Sequence, residues 1–120
     1  MRYAMNPRII TAGRFLLMKE AQHAVSRQMT FADFATGMNE LCETQDFHYR
    51  NIHPILYEVN KLEIAEGRPM LSALVCSSTT GLPPNGFFEC AKDLGRNNSD
   101  KAPEAFWRSE LSELQQVWGQ

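Results

Sequence analysis

The stretch EGRPMLSALVCSSTTGLPPNGFFECAKDLG, residues 66–95, decides how this 120-residue chain folds. Gly67 favours the end of a preceding helix, and Pro69 prevents that helix from continuing. The apolar run MLSALVCSS at residues 70–78 follows, and both of its alternating faces are mostly apolar. This pattern predicts a β-strand that is covered on both sides.

The second half of the stretch predicts a reversal of the chain. TTGLPPNG, residues 79–86, is rich in glycine, proline and asparagine, which favour turns. FFECAKDLG, residues 87–95, predicts a short helix that ends at Gly95. Two adjacent phenylalanines cannot both face the core from a helix, so we expect one of them to be partly exposed. Most of the stretch therefore serves the fold.

Helical patterns lie on both sides of this stretch. Apolar residues at helical spacing predict a first helix over residues 9–28 and a third helix over residues 51–66. Between them, Thr30 is predicted to cap a shorter second helix, with Asp33 three residues later in its first turn. A proline opens a last predicted helix over residues 103–118.

A single strand cannot satisfy its own backbone hydrogen bonds, so the predicted strand needs a partner. We expect that partner among the N-terminal residues or at residues 85–88. The sequence thus predicts one mainly helical α+β domain over residues 1–120, with helices packed on a small β-hairpin or sheet. Three helices followed by a turn are also similar to the order of a winged-helix protein, in which the turn forms the wing. The helix over residues 103–118 is expected to dock on the core or on a second copy of the chain, which would form a homodimer.

Composition and charge exclude several classes of protein. Hydrophobic residues make up 43% of the chain and charged residues 22%, which is typical of a globular domain rather than a disordered chain. No apolar run reaches the roughly 20 residues that a membrane helix needs, so no membrane association is predicted. Three widely spaced cysteines argue against disulfides and structural zinc, and favour the reducing cytoplasm. The formal net charge of -2 gives no overall attraction to nucleic acid.

The residues that could carry catalysis lack the context that such chemistry requires. His48 and His53 are not part of a His-Glu-x-x-His motif and have no cysteine nearby. Cys76 lies in an apolar run, where a thiol is usually inert, and Ser72 lacks a Gly-x-Ser-x-Gly setting. The run at residues 70–78 carries no charge, which argues against a metal-dependent nuclease. We therefore expect no catalytic residue, no bound metal and no cofactor.

A non-catalytic binding module is accordingly the first function that the sequence predicts. Its contact surface would lie at the helix stop and the turn of the central stretch, and it would act on a protein partner. The residues predicted for this surface are Arg68, Pro83, Asn85, Phe87 and Phe88.

Binding to DNA is the alternative. The segment HYRNIHP, residues 48–54, lies where a winged-helix protein begins its recognition helix. Three glutamates on the same predicted helix argue against this alternative, because acidic side chains repel phosphates. The residues predicted to contact DNA are Arg50, Asn51, His53 and Lys61.

Parts of the chain resemble a known group of proteins. GRPMLSALV at residues 67–75, GFFE at residues 86–89 and FW at residues 106–107 are similar to segments of small, largely uncharacterised bacterial and phage proteins. TFADFA at residues 30–35 extends the similarity weakly toward the N-terminus, whereas PPNG at residues 83–86 stands where those proteins more often have Pro-Gly. The resemblance implies a role in phage–host conflict or its regulation, and no particular activity.

Overall fold

The protein is described by a computed structural model that covers residues 6–23, 29–97 and 102–119. Within these residues the chain forms five α-helices, one 3-10 helix and two short strands. In chain order they are α1 (Pro7–His23), β1 (Met29–Thr30), α2 (Phe31–Cys42), α3 (His53–Ala65), the 3-10 helix (Leu71–Leu74), β2 (Val75–Cys76), α4 (Asn85–Asp93) and α5 (Pro103–Trp118). The predicted α+β class, mainly helical with a small sheet, is confirmed.

The long strand predicted over residues 70–78 is wrong. Much of that run forms the 3-10 helix, and only β2 is a strand. A short apolar run looks the same in sequence whether it becomes a buried strand or a buried helical turn. Here side chains of α5 bind backbone groups that a strand ladder would otherwise pair. The Trp107 indole donates to the Ala73 carbonyl at 2.9 Å, and the Met70 amide donates to a Glu110 carboxylate oxygen at 3.1 Å.

The strand partner also differs from the prediction. β2 pairs with β1 in parallel, with Met29 opposite Val75 and Thr30 opposite Cys76, and residues 85–88 begin α4 instead. The turn after β2 leads into a helix, and the described residues contain no β-hairpin. The wing expected from the winged-helix comparison is therefore not formed in the part of the chain that the structure describes.

The signals at the helix starts agree with the structure. The Asp33 amide donates to the Thr30 hydroxyl at 3.0 Å, and the Thr30 amide donates to the Asp33 carboxylate at 3.1 Å. These two bonds complete a capping box at the start of α2. α1 begins at Pro7, slightly before the predicted start, and is described as far as His23. Its predicted continuation over residues 24–28 lies outside the described residues.

Two helices end at glycines, as predicted, and an arginine follows each glycine. α3 ends before Gly67, whose φ is +74°, and α4 ends before Gly95, whose φ is +73°. The amides of Arg68 and Arg96 bond back to carbonyls in the last turns of these helices, at 2.9 and 2.7 Å. This Schellman geometry requires a left-handed residue and favours glycine. We call each pair, Gly67 with Arg68 and Gly95 with Arg96, a Gly-Arg corner.

The core surrounds the 3-10 helix, which packs against α1, α3 and α5. α1 and α3 approach closely at Gly13, where a Cβ atom would lie only 2.9 Å from the Ile55 side chain. α5 docks on the core of its own chain and buries Phe106, Trp107 and Leu114. Several core side chains are fully buried, among them Leu17, Phe34, Met38, Leu71 and Leu74.

Candidate functional site

A cleft opens on the side of the molecule where α2, α3 and α4 begin. It consists of an inner pocket of about 70 Å³ and an outer groove of about 530 Å³, which share Phe31, His53 and Pro84. The other residues of the inner pocket are mostly buried: Leu56, Tyr57, Asn60, Ser72, Val75, Gly86, Phe87 and Cys90. The other residues of the outer groove are exposed or half-buried: Thr30, Ala32, Tyr49, Ser77 and Ser78.

The small parallel sheet explains why these helix starts meet. β1 and β2 run in the same direction, so their carboxyl ends lie at one edge of the sheet. α2 begins directly after β1, and Ser77 follows β2 at the same edge. His53 is the first residue of α3, and Pro84 is the N-cap residue of α4. The starts of three helices thus line one cleft.

The three helix starts differ in how they are capped. α2 has the capping box formed by Thr30 and Asp33. α3 and α4 have neither a side-chain cap nor an acidic residue in the first turn, so no carboxylate there offsets the positive ends of their dipoles. Among the described residues, no Asp or Glu lines either part of the cleft. The electrostatic environment therefore favours groups that carry negative charge or accept hydrogen bonds.

Three buried polar side chains meet at the inner pocket. The Asn60 side-chain amide donates to Ser72 Oγ at 2.8 Å and to Cys90 Sγ at 3.6 Å. Its carbonyl oxygen accepts from the backbone amide of Ser72 at 3.4 Å. Burial raises the pKa of the Cys90 thiol, and the hydrogen bond from Asn60 offsets only part of that effect. Cys90 therefore stays protonated near neutral pH, which makes it a poor nucleophile.

Most of the residues predicted for a protein contact surface lie at or near this cleft. Phe87 lines the inner pocket, and its ring centroid lies 5.0 Å from that of Phe88 and 5.9 Å from that of Phe106. Phe88 is only half-buried, which agrees with the expected partial exposure of one phenylalanine. Asn85 is the exposed first residue of α4, and Pro83 is buried just before that helix.

Arg68 lies at the opposite end of α3 from the cleft. Its Nε donates to one oxygen of Glu63 at 2.8 Å, and Arg14 donates to the other oxygen at 2.6 Å. The Glu63 side chain is fully buried, whereas the two arginine side chains are 30% and 29% exposed. Both guanidinium groups also lie over the Trp118 ring, 5.9 and 5.4 Å from its centroid. Arg68 thus links α3 to α1 and α5, while its contact with a partner stays a prediction.

The second Gly-Arg corner has a similar ion cluster. Arg96 donates to both oxygens of Glu110 and to Glu113, each at 2.9 Å. Glu110 is only 1% exposed and also accepts the bond from the Met70 amide. The corner therefore ties the end of α4 to α5 and, through Glu110, to the start of the 3-10 helix.

Two of the residues predicted to contact DNA lie at or beside the cleft. His53 lines both of its parts, and its ring centroid lies 5.0 Å from that of Phe31. Arg50 is exposed, and its guanidinium lies 5.3 Å from the ring centroid of Tyr49, which lines the outer groove.

The other two are engaged within the chain. The Asn51 side chain accepts from the His48 amide at 2.9 Å and donates to the Asp46 carbonyl at 3.0 Å, which stabilises the loop before α3. Lys61 pairs with Glu58 at 3.7 Å. Neither Asn51 nor Lys61 lines the cleft, and DNA contact stays a prediction for all four residues.

The polar residues of the inner pocket are not predicted as site residues from the sequence. His53 and Asn60 are seven residues apart, a spacing that places them on one face of α3 and could have indicated a shared surface. Ser72 and Cys90 come from other parts of the chain, and no local pattern connects them with α3. Only the folded arrangement brings the three side chains together.

A comparison of the chain with protein-family models, with curated proteins and with solved structures finds no match. The resemblance at residues 67–75, 86–89 and 106–107 therefore stays a prediction. Within the described residues, no group of three or more His, Cys, Asp or Glu side chains could hold a metal ion. In the same part of the chain, no helix is long and apolar enough to cross a membrane.

Proposed function

We propose that the protein is a non-catalytic binding module that holds a segment of a protein partner in the cleft. The observation that carries this proposal is the inner pocket, a recess of about 70 Å³ with mostly buried lining residues that lies next to a larger groove. One side chain of the partner would enter the inner pocket, and the residues next to it in the partner segment would lie along the outer groove. In such an arrangement a few buried anchor side chains supply most of the binding energy.

The lining of the inner pocket favours an apolar anchor. Leu56, Val75 and Phe87 give it apolar walls. Burial of one aliphatic side chain contributes about 1.5–3 kcal/mol, whereas micromolar affinity requires about 8 kcal/mol. The difference would come from the outer groove, where Phe31 and Tyr49 offer aromatic surface.

The proposal also includes a cytoplasmic location, a role in phage–host conflict and a possible homodimer. The described residues contain three free cysteines, Cys42, Cys76 and Cys90, which suit the reducing cytoplasm. A role in phage–host conflict or its regulation rests on the resemblance alone. A homodimer through α5 would have to use the part of that helix that its own core leaves free, such as Val117, which is 46% exposed.

Selection from a displayed library of random short peptides tests the proposal. We expect the peptides that the wild-type chain enriches to share an aliphatic residue. Gly86→Leu is expected to lower the affinity for these peptides at least about tenfold, because it adds a side chain at the lining of the inner pocket. The variant is expected to fold, since a Cβ atom at Gly86 meets no other atom within 4 Å.

Glu89→Leu is the matched control, because it adds the same side chain at an exposed position of α4 that does not line the cleft. It is expected to bind the selected peptides as the wild type does. No enriched peptide, or equal binding by both folded variants, would contradict the proposal. Binding of duplex DNA at low salt that is lost in Arg50→Ala would favour the alternative, because phosphate contacts strengthen as salt falls.

A further inference from the structure

We infer that the Gly-Arg corner at Gly67 and Arg68 carries a second binding site, in which Arg14 and Arg68 together hold a phosphate group beside the Trp118 ring. This site lies at the opposite end of α3 from the cleft, so it does not depend on the proposed function. Three observations carry it: two guanidinium groups held side by side, donors that the chain leaves unused, and an excess of positive charge.

The two guanidinium groups are held next to each other by two shared neighbours. Arg14 Nε and Arg68 Nη2 both approach the same atom, Glu63 Oε2, at 2.6 and 3.4 Å. Both groups also lie over one ring, that of Trp118, at 5.4 and 5.9 Å from its centroid. Because both neighbours are common to the two side chains, one oxyanion can contact both guanidinium groups.

Most hydrogen-bond donors of this arginine pair are not used by the chain. Within the described residues, Glu63 is the only acceptor for either side chain, and it binds Nε of Arg14 and both Nε and Nη2 of Arg68. The two arginine side chains are 29% and 30% exposed, so a ligand can approach them from solvent. Guanidinium groups bind phosphate oxygens through paired N–H groups, which an ammonium group cannot offer.

The charges at this corner leave a positive excess. Two arginines face one buried carboxylate, that of Glu63. The pKa of Arg68 is raised mainly by its hydrogen bond to Glu63, and the exposed carboxylate of Glu66 contributes least to that rise. An anion that binds both arginines would offset the excess.

The other Gly-Arg corner has the opposite balance of charge. There Arg96 alone faces two carboxylates, those of Glu110 and Glu113. Glu110 is as deeply buried as Glu63, yet one arginine is sufficient to neutralise it. Neutralisation of Glu63 therefore does not require a second arginine, and the additional cation is available to a ligand.

Phosphate is the oxyanion that suits two adjacent guanidinium groups best. A phosphate ester carries a charge of about −1.5 to −2 near neutral pH and several acceptor oxygens, whereas a carboxylate carries a single charge. Free phosphate and a phosphate group on a larger molecule share this chemistry, so the experiment has to distinguish them.

Titration of the isotope-labelled wild-type chain with inorganic phosphate, followed by NMR at constant ionic strength, tests the inference. The chain has two tryptophans, so one indole N–H resonance reports on the site and the other serves as a reference. We expect the Trp118 resonance to shift until the site is saturated. The Trp107 resonance should stay in place, because that indole is buried and donates to the Ala73 carbonyl. Acetate is expected to bind at least about tenfold more weakly than phosphate.

Arg14→Gln is expected to weaken phosphate binding at least about tenfold, because it removes one of the two guanidinium groups. Arg14→Lys keeps the charge beside Glu63 but loses the paired donors, so it should recover only part of the affinity. If Arg14→Gln does not fold, Arg14→Lys decides the question. The matched control is Arg108→Gln, because Arg108 also lies over a tryptophan ring, that of Trp107, and pairs with Glu104. This control is expected to bind phosphate as the wild type does.

A parallel titration with N-acetyl-O-phosphoserine amide distinguishes the two sources of phosphate. Binding at least as tight as that of inorganic phosphate would support a phosphate ester as the ligand, and weaker binding would support the free ion. A Trp118 resonance that does not move, or that moves equally with phosphate, acetate and chloride, would overturn the inference. Unchanged phosphate binding by folded Arg14→Gln and Arg14→Lys would overturn it as well. None of these results bears on the cleft, which the displayed library tests separately.

Discussion

The two ends of α3 and α4 contrast sharply. At their C-terminal ends both helices finish in a Gly-Arg corner, and each arginine binds a buried glutamate. At their N-terminal ends both helices lack side-chain caps and border the cleft. The same two helices therefore hold the fold together at one end and leave unpaired donors at the other. This division favours the uncapped end as the place where a partner binds, because capping there would use up the groups that a ligand needs.

The two corners also differ from each other. Glu63 binds two arginines, Arg14 and Arg68. Glu110 is equally buried, but within the described residues Arg96 is the only cation that binds it. Removing one arginine should therefore have different consequences at the two corners.

Arg96→Ala has the largest expected effect on stability. It leaves the buried carboxylate of Glu110 without a cation, which costs about 3–5 kcal/mol of the free energy of unfolding. Urea denaturation measures that loss. The matched control is Arg108→Ala, because Arg108 pairs with Glu104 at the surface and should contribute less than about 1 kcal/mol. Equal losses in the two variants would contradict the structural role of the Arg96 corner.

Arg68→Ala is expected to cost less, about 1.5–3 kcal/mol, because Glu63 keeps its bond to Arg14. The same denaturation experiment compares it with Arg96→Ala. A folded Arg68→Ala variant that keeps its stability but no longer binds a partner would show that Arg68 is a contact residue, as the sequence predicts, and would contradict the structural role assigned to it here. Peptide binding by this variant should otherwise match that of the wild type.

Gly67→Ala and Gly95→Ala are each expected to lower the free energy of unfolding by about 1–2 kcal/mol. Both positions have positive φ values, where a Cβ atom approaches the following carbonyl oxygen. Gly86→Ala is the control at the other end of α4, where φ is not positive and a Cβ atom meets no neighbour. Its stability should stay within about 0.5 kcal/mol of the wild type, and a larger loss would show that the cleft is packed more tightly than the structure indicates.

Asn85→Asp has the smallest expected effect on stability and tests the contrast most sharply. An acidic residue in the first turn of α4 is expected to stabilise the protein by about 0.3–1 kcal/mol. Urea denaturation measures that gain. A loss of stability in this variant would contradict the uncapped start of α4.

The sequence predicts those parts of the fold whose cause is local. Thr30 with Asp33 at a helix start, and Gly67 and Gly95 at helix ends, are signals that act over only a few residues. The run at residues 70–78 was misjudged because bonds from Trp107 and Glu110, more than thirty residues away, decide its conformation. No local pattern contains that information.

The candidate site is harder to predict because it is assembled from distant segments. The turn in the sequence points to Asn85 and Phe87, and the polar segment that suggests DNA binding points to His53. The sequence does not show that the starts of α2, α3 and α4 lie around one cleft. Asn60 and Ser72 were missed because their bond forms only when α3 packs on the 3-10 helix. The burial of Glu63 and Glu110 was missed for a similar reason, since glutamate is usually exposed and only its arginine partners allow it inside.

The most direct test of the central claim is a map of amide chemical shifts on adding a peptide selected from the displayed library. We expect the largest changes at Phe31, Ser72, Gly86 and Phe87, with little change at the two Gly-Arg corners. Changes centred instead on Gly67 and Arg68, or on the groove between α1 and α2 next to Phe15 and Leu41, would contradict it.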